Sequence, residues 1–357
     1  MPGSTSSSPA DLWILILAGG VGSRFWPVST PSRPKQLLPL GSERPLIVDT
    51  VERLDGLVPP ERIRVLTGAS LVEPIRHATG LPASSFLVEP AARGTCPVLA
   101  WAAWTIEREH PGAVLASIHA DHVIDPPASF RALLADSAHV AAREGLLLTT
   151  AIVPTRPEPG YGYIEPGEVV GGHGTAEVRK VRRFVEKPDR ETATGYVRDG
   201  YLWNSGIFVW SAATFLRELR ATAPDVAAAL EHLERDDVDA FFREVPVTTV
   251  DEAVLERSDR VGTVPATFAW DDVGAWEALG RTRQADADGN VSVGAVHAVE
   301  AHRNIVWSED GRVVLFGVDD LVVVRTGDVT FVTTRTRSPD LKALLARLPS
   351  TLGGSAS

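Results

Sequence analysis

Apolar residues in the first two-thirds of the chain alternate between short continuous runs and stretches with helical spacing. Short continuous apolar runs are typical of strands that are buried on both faces, as in parallel sheets. The predicted strands are Trp13–Leu17, Ile63–Thr67, Phe86–Val88, Val114–Ile118 and Leu146–Ile152. The stretches with helical spacing are Ile47–Leu57, Val98–Glu109 and Phe130–Glu144. This alternation predicts βαβ units, and therefore an α/β domain with a Rossmann-like, mixed but mostly parallel sheet.

The pattern changes at Gly289, after which short apolar strands follow one another with Asp/Gly turns and no long helix between them. These strands are Val291–Val299, Asn304–Trp307, Val313–Gly317, Leu321–Arg325 and Val329–Thr334. We therefore predict an α/β domain over residues 11–288 and a small all-β domain over 289–349, closed by a helix at Leu341–Leu348. Residues 1–10 and 350–357 are small and polar, and we expect a disordered leader and tail there.

Composition and charge narrow the class of protein. The chain has 357 residues, of which 44% are hydrophobic and 23% charged, as in ordinary globular proteins. Its formal net charge of −11 argues against general affinity for nucleic acid or an anionic membrane. The N-terminus has no export signal and no apolar run is long enough to span a bilayer, so we expect a cytoplasmic protein. The single cysteine, Cys96, excludes an intramolecular disulfide and is expected to be buried.

The first predicted strand ends in a glycine-rich loop, Ala18-Gly19-Gly20-Val21-Gly22-Ser23-Arg24. Glycines let backbone N–H groups approach a ligand closely, which is how such loops bind phosphates. The Walker pattern is absent because Ser23 and Arg24 follow Gly22, and the dinucleotide pattern fails because Phe25 occupies its third glycine position. An acidic protein that binds a polyanion must concentrate its cations locally. The candidates are Arg24, Arg33, Lys35 and Lys187.

A carboxylate follows the predicted strand Val114–Ile118, in the sequence His119-Ala120-Asp121-His122. A carboxylate at the end of a strand beside a phosphate loop is well placed for Mg²⁺, although a helix cap or turn explains Asp121 equally well when it is taken alone. Mg²⁺ prefers oxygen ligands and does not need imidazoles, so His119 and His122 have no assigned role.

The complete loop, with Phe25-Trp26-Pro27 and Pro34-Lys35-Gln36, resembles the signature of sugar-nucleotide pyrophosphorylases, and specifically of their mannose-1-phosphate guanylyltransferase branch. The resemblance implies a nucleotidyltransferase domain of the GT-A-like type and a C-terminal domain resembling a left-handed β-helix. Longer relatives add a phosphomannose isomerase domain, which we do not expect in this chain. The sequence itself does not fix the oligomeric state, and a homodimer is implied only by the resemblance.

The resemblance also identifies a nucleotide site. The segment Glu89-Pro90-Ala91-Ala92-Arg93-Gly94-Thr95 resembles the Glu-Pro-x-x-Arg-Asn-Thr segment of the guanylyltransferases, with Gly94 in place of the asparagine. A carboxylate such as Glu89 accepts from both N1–H and N2–H₂ of guanine, whereas Gly94 retains only its backbone N–H. The expected nucleotide-binding residues are Leu17, Ala18, Gly19, Gly20, Gly22, Ser23, Glu89, Gly94 and Thr95.

Further segments complete the implied site. Trp270-Asp271-Asp272-Val273-Gly274-Ala275-Trp276 resembles a Trp-x-Asp-Val-Gly-x-Trp motif, which assigns Asp272, with Asp121, as a Mg²⁺ ligand. The tryptophans are expected to pack in the core. The expected sugar-phosphate-binding residues are Gly162, Glu186, Lys187 and Asn204, and the segment that begins at Asp251, a natural helix cap, is expected to support the site.

The reaction implied is transfer of GMP from GTP to α-D-mannose 1-phosphate, giving GDP-mannose and pyrophosphate. Arg24 is expected to hold the triphosphate and Lys35 to neutralise charge at the α-phosphate or the leaving group, so that Arg24, Lys35, Asp121 and Asp272 form the catalytic set. One alternative is a related enzyme for another sugar 1-phosphate, such as heptose 1-phosphate with GTP or glucose 1-phosphate with another NTP. The others are a catalytically silent regulatory subunit and a module that only binds sugar nucleotides.

Overall fold

The computed structural model describes residues 11–20 and 22–349. The predicted leader at 1–10 and tail at 350–357 lie outside the described residues, as does Val21. The strands are β1 (Leu12–Leu17), β2 (Ile63–Gly68), β3 (Phe86–Glu89), β4 (Val114–His119), β5 (Val123–Asp125), β6 (Leu147–Ile152), β7 (Tyr163–His173), β8 (Ala176–Val185), β9 (Leu202–Ser211), β10 (Val261–Pro265), β11 (Ala269–Asp271), β12 (Val291–Val299), β13 (Ile305–Phe316), β14 (Leu321–Thr326) and β15 (Val329–Thr334).

The α-helices are α1 (Leu46–Glu52), α2 (Ala69–Thr79), α3 (Thr95–Glu109), α4 (Pro127–Glu144), α5 (Arg190–Arg198), α6 (Ala212–Thr222), α7 (Pro224–Glu234), α8 (Val238–Glu244), α9 (Leu279–Thr282) and α10 (Leu341–Leu345). A single π-helical turn covers Asp251–Leu255. Among the described residues, no helix combines the length and the apolar character needed to cross a membrane.

The large sheet has nine strands in the order β3-β2-β1-β4-β9-β6-β10-β8-β7. Strands β8 and β9 run against the other seven, so the sheet is mixed but mostly parallel, as predicted. Strand β1 lies near the middle of the parallel half and is buried along its whole length, which explains its continuous apolar run. The carboxyl ends of β1, β3 and β4 therefore meet at one edge of the sheet.

The predicted helix at Ile47–Leu57 is too long. Helix α1 ends at Glu52, and turns continue the chain to Leu57. Leu54 and Leu57 are nevertheless buried, so their apolar spacing reflects burial in the core and not helical structure. Similarly, the helix predicted at Leu341–Leu348 ends at Leu345.

The C-terminal strands form a separate sheet in the order β12-β13-β14-β15, in which the first three are parallel and β15 is antiparallel to β14. Two predicted strands, Asn304–Trp307 and Val313–Gly317, are parts of the single strand β13. The Asp310-Gly311 pair does not reverse the chain there. Instead, the pairing of β12 with β13 shifts register at Gly294, where φ is +89° and a Cβ would overlap the carbonyl oxygen of Ser308.

Two buried asparagines stack at the corners between successive parallel strands of this sheet. The backbone N and the Nδ2 of Asn304 donate to Oδ1 of Asn290 at 2.9 and 3.0 Å, and the backbone N of Leu321 donates to Oδ1 of Asn304 at 2.9 Å. These side chains satisfy the backbone groups that each corner would otherwise leave buried and unpaired. The small domain thus has the coiled organisation of a β-helix, as predicted.

The small domain packs directly against the glycine-rich loop. Phe25, Trp276 and Trp307 are completely or almost completely buried in one apolar cluster. The Nε1 of Trp276 donates to the carbonyl of Trp26 at 3.0 Å, and the ring of Trp26 lies 5.7 Å from that of Phe331. Trp26 and Trp276 are therefore packing residues that join the chain after the loop to the β domain, whereas Trp270 packs against the core of the large domain.

Trp276→Ala is expected to lower the free energy of unfolding by about 3–5 kcal/mol, because it leaves a cavity in this cluster and removes the donor to Trp26. Urea denaturation followed by circular dichroism measures the loss. The half-buried Trp104 on α3 provides the control, since Trp104→Ala should cost only about 1 kcal/mol. Equal losses for the two variants would show that Trp276 in this cluster contributes no more to stability than a half-buried tryptophan elsewhere.

Candidate active site

The glycine-rich loop is held in shape by hydrogen bonds to its carbonyl groups. The carbonyl of Ala18 accepts from Oγ1 of Thr67 at 3.0 Å and from Nε2 of the buried Gln36 at 2.9 Å. Nε2 of Gln36 also lies 3.5 Å from the carbonyl of Gly20. Leu17 and Ala18 were predicted to contact the nucleotide. In the structure Leu17 is the last residue of β1, and the carbonyl of Ala18 accepts these two hydrogen bonds. The side chain of Ser23, another predicted nucleotide contact, lies outside the described residues.

Gly22 is required because Lys35 passes directly over it. A Cβ on Gly22 would overlap the Cβ of Lys35, and its φ of +65° lies in the left-handed region that favours glycine. The Lys35 side chain is only 10% exposed. Its Nζ donates to Oδ2 of Asp121 at 2.8 Å and to the backbone carbonyl of Asp272. Lys35 therefore joins the two predicted metal-binding segments to the loop.

The two carboxyl groups respond differently to this ammonium. Burial raises the pKa of Asp121, but the Lys35 ammonium and the two neighbouring histidines, His119 and His122, together outweigh it, and the pKa lies well below its ordinary value. Burial also raises the pKa of Asp272, and there it outweighs the opposing effect of Lys35. The ionised state of Asp272 is thus the less stable of the two, and a cation bound beside it would favour that state.

Asp272 is held from its other side by Tyr161, whose hydroxyl donates to Oδ1 of Asp272. Burial and the nearby Asp272 carboxylate raise the pKa of Tyr161, which keeps it a hydrogen-bond donor. The neighbouring Asp271 points elsewhere and forms an ion pair with Arg281, with Nε to Oδ2 at 2.7 Å. The turn after Asp272 places the buried, β-branched Val273 at a φ of +47°, a costly conformation that the surrounding apolar cluster stabilises.

The glycine loop, Lys35, Asp121 and Asp272 line a cleft of about 280 Å³. Arg24 lies exposed at its mouth, where Nη1 would be 3.5 Å from a Cβ on Gly274. Within the described part of the chain Arg24 forms no ion pair, so its charge is available to an anion. The cleft is lined by Gly19, Gly20, Gly22, Arg24, Phe25, Lys35, Gln36, His119, Asp121, His122, Asp272 and Gly274.

The predicted base-recognition segment lies beside the cleft. Glu89 is half-buried, burial raises its pKa, and its Oε1 would lie 3.6 Å from a Cβ on Gly19. Gly94 and Thr95 instead face the segment at 248–250. A Cβ on Gly94 would overlap the carbonyl oxygen of Thr248, and Oγ1 of Thr95 accepts from the backbone N of Val250 at 2.9 Å. The structure therefore brings Glu89 close to the loop but uses Gly94 and Thr95 to join two segments of the chain.

The predicted sugar-phosphate residues form a second cluster. Glu186 pairs with Lys187, and its Oε2 would lie 2.5 Å from a Cβ on Gly162, so the Glu186 carboxylate packs directly on this glycine. Lys187 has a φ of +46° and a side chain that is 62% exposed. The backbone N of Asn204 donates to the carbonyl of Gly162 at 2.8 Å, which places all four residues together.

Asp251 completes this cluster and is not the helix cap that the sequence indicated. Its Oδ1 accepts from Nδ2 of Asn204 at 2.8 Å, and the helix is capped instead by Thr249, whose Oγ1 accepts from the backbone N of Glu252 at 3.2 Å. Burial raises the pKa of Asp251 to about 7, and the negative charge of Glu186 acts in the same direction. Oδ1 of Asn204 already accepts from Oγ1 of Thr149 at 2.9 Å. Asn204 therefore positions Asp251 with one amide donor and has one left for a ligand.

Comparison with known proteins identifies the family. Residues 14–289 match the family model described as nucleotidyl transferase. The chain belongs to this family. Residues 294–348 match a second model, described as a MannoseP isomerase/GMP-like beta-helix domain.

Several of the similar proteins are named mannose-1-phosphate guanylyltransferase. Mannose-1-phosphate guanylyltransferase of Escherichia coli (strain K12) is 36% identical over 355 residues, which cover 95% of this chain and 74% of that protein. The alginate biosynthesis protein AlgA of Pseudomonas aeruginosa is 34% identical over 346 residues, covering 94% of this chain and 71% of that protein. A solved structure described as mannose-1-phosphate geranyltransferase from Thermus thermophilus superimposes with a TM-score of 0.87 at 32% identity, covering 94% of this chain and 99% of that one.

Two residues of this nucleotidyl transferase site had no role assigned from the sequence. Gln36 braces the loop, and Tyr161 holds Asp272. Gln36 and Tyr161 lie in the segments Pro34-Lys35-Gln36 and Gly160-Tyr161-Gly162, so a signal was present. Their partners are far away along the chain, and a single sequence carries no record of such contacts.

Asp251→Asn is expected to stabilise the protein increasingly as the pH rises from 5 to 8. The folded-state pKa of Asp251, about 7, exceeds its ordinary value of 3.8, so the stability contributed by its protonated form is lost as the pH rises through 7. Asparagine remains uncharged and retains the oxygen that accepts from Asn204. Urea midpoints at pH 5 and pH 8 measure the difference. The exposed Asp259 gives the control Asp259→Asn, and parallel pH profiles for wild type and Asp251→Asn would contradict the expectation.

Proposed function

We propose that the protein transfers GMP from GTP to α-D-mannose 1-phosphate, giving GDP-mannose and pyrophosphate. The observation that carries the proposal is the position of Lys35 between the Asp121 carboxylate and the Asp272 backbone, at the base of a cleft that also contains the glycine loop and Arg24. This arrangement supplies buried positive charge to a polyphosphate. The names of the relatives support the choice of mannose 1-phosphate as acceptor.

The reaction needs positioning and charge more than proton transfer. The nucleophile is an oxygen of the sugar phosphate, which is already ionised at neutral pH, and no general base has to act. This oxygen attacks the α-phosphorus of GTP in line, a new O–P bond forms, and the bond to the bridging oxygen breaks with pyrophosphate leaving. Arg24 holds the triphosphate, and Lys35 neutralises charge at the α-phosphate or on the leaving group.

The residues at the base of the cleft fit a Mg²⁺ ion. Asp121 and Asp272 present hard carboxylate oxygens, the ligands that Mg²⁺ prefers. The Lys35 ammonium already lies beside both segments, so the oxygen atoms there accommodate a positive charge. Asp121 and Asp272 would hold the ion, which when bound neutralises phosphate charge and orients the two substrates. Tyr161 fixes the Asp272 carboxylate for this purpose.

The second cluster receives the sugar phosphate. Lys187, with its exposed ammonium, binds the phosphate of mannose 1-phosphate. The carboxylates of Glu186 and Asp251 accept from sugar hydroxyls, and the remaining amide hydrogen of Asn204 donates to one. Glu89 accepts from the guanine edge, since its carboxylate receives no hydrogen bond from the described chain. Gly94 and Thr95 act indirectly, by fixing the segment that carries Asp251.

The first test is Mg²⁺-dependent pyrophosphate release across a grid of NTPs and sugar 1-phosphates. We expect GTP with mannose 1-phosphate to give the dominant rate. A different preferred pair, such as heptose 1-phosphate with GTP, would retain the transfer reaction and overturn the substrate assignment. Binding of GDP-mannose by folded protein with no turnover on any pair would instead establish a regulatory subunit or a binding module.

Lys35→Met should lower kcat by about 10²–10³, because it removes a preorganised charge from the cleft while preserving much of the side-chain volume. The exposed Lys180 on β8 provides the matched control, and Lys180→Met should retain wild-type turnover. Circular dichroism establishes that both variants fold. Near-wild-type turnover by folded Lys35→Met would exclude the role assigned to Lys35.

A further inference from the structure

The cleft contains an imidazole that the reaction above does not use. His119 is the last residue of β4 and lines the cleft two residues before Asp121. One ring nitrogen of His119, one of His122 and a carboxylate oxygen of Asp121 lie within 4.8 Å of one another. The His119 ring forms no hydrogen bond to the rest of the described chain. It therefore retains a nitrogen lone pair for a ligand in the cleft.

His122 is different, because its tautomer is fixed by a neighbour. Nε1–H of Trp270 donates to Nδ1 of His122 at 3.0 Å. Nδ1 must then be the unprotonated nitrogen, so that the proton of the neutral ring lies on Nε2. Both lone-pair positions of His122 are thereby taken, one by Trp270 and one by its own proton. His122 can donate a hydrogen bond into the cleft but cannot coordinate a cation.

The ring of His119 is also held in place. A Cβ on Gly206 would lie 2.7 Å from Nε2 of His119, so the absence of a side chain at Gly206 makes room for the ring. On another side the ring of His122 lies 4.7 Å away, at an interplanar angle of 34°. A ligand that is oriented before binding loses little entropy when it coordinates. His119 thus has the position, the lone pair and the fixed orientation of a metal ligand.

We propose that His119 coordinates the divalent cation together with Asp121, and that the site binds an imidazole-accepting transition metal such as Mn²⁺ more tightly than Mg²⁺. The inference rests on the cation site of the proposed function and deepens it by naming a nitrogen ligand. Mg²⁺ is served by oxygen ligands alone, whereas first-row transition metals also bind imidazole nitrogen. His119 therefore determines the metal preference, and Asp121 and Asp272 provide the charge.

The test uses the whole protein and Mn²⁺ as the probe. Electron paramagnetic resonance of free Mn²⁺ gives the dissociation constant, and competition by Mg²⁺ gives the preference. Electron spin-echo measurements on bound Mn²⁺ detect the coupling to a coordinated ¹⁴N nucleus. The variants are His119→Ala, His122→Gln and, as a control that removes an exposed imidazole outside the site, His77→Ala. Circular dichroism confirms that each variant folds.

We expect wild-type protein to show coupling to one imidazole nitrogen, which His77→Ala and His122→Gln retain and His119→Ala loses. His119→Ala should also weaken Mn²⁺ binding by about 10-fold or more, with a much smaller effect on Mg²⁺. Mn²⁺ bound without ¹⁴N coupling, coupling that survives in His119→Ala, or no saturable Mn²⁺ binding would each overturn the proposal. The first two outcomes are compatible with Mg²⁺-dependent transfer, so they leave the proposed function standing.

Discussion

Three distant parts of the chain meet at one ammonium group. Lys35 lies beside the glycine loop, donates to Asp121 after β4 and donates to the carbonyl of Asp272 after β11. A lysine this far buried is costly unless its charge is compensated, and the Asp121 carboxylate provides that compensation. The loop, the sheet edge and the returning segment must all be in place for the charge to be satisfied. The cleft therefore assembles only when Lys35 is buried and its charge is paired.

The β-helix-like domain helps to hold these segments in place, although it lies away from the reacting groups. Its strands bury Trp307 against Phe25 and Trp276, which lie close in sequence to Arg24 and Asp272. The ion pair between Arg33 and Glu309, at 2.6 Å, adds a second connection beside Lys35. Arg33, one of the cations expected near the phosphates, is thus directed to the small domain. The domain stabilises the segments that present the catalytic side chains.

The sequence was informative where chemistry depends on local pattern. The apolar run of β1 and the three glycines after it predicted both a buried strand and a phosphate loop, and the strand is confirmed. Asp272 rather than Asp271 lines the cleft, as the Trp-x-Asp-Val-Gly-x-Trp resemblance indicated. The roles assigned to the site residues stay predictions, but the structure places most of them in two neighbouring clusters.

The sequence was misleading where a side chain has two plausible partners. Asp251 has the pattern of a helix cap, yet its carboxylate accepts from Asn204, because Thr249 caps the helix turn in its place. The apolar spacing after helix α1 was misleading in another way, because Leu54 and Leu57 reach the core from turns and not from a helix. Apolar spacing records burial, and the backbone conformation that achieves it depends on contacts across the fold.

The backbone of Gly94 has an evolutionary consequence. With φ at 88° and ψ at 178°, it occupies a region that is essentially restricted to glycine, and Thr248 fills the space where a side chain would begin. The asparagine found in similar guanylyltransferase segments therefore cannot be restored here by a single substitution. The two segments around 94 and 248 have to change together, so the effect of a consensus residue at this position depends on the background that receives it.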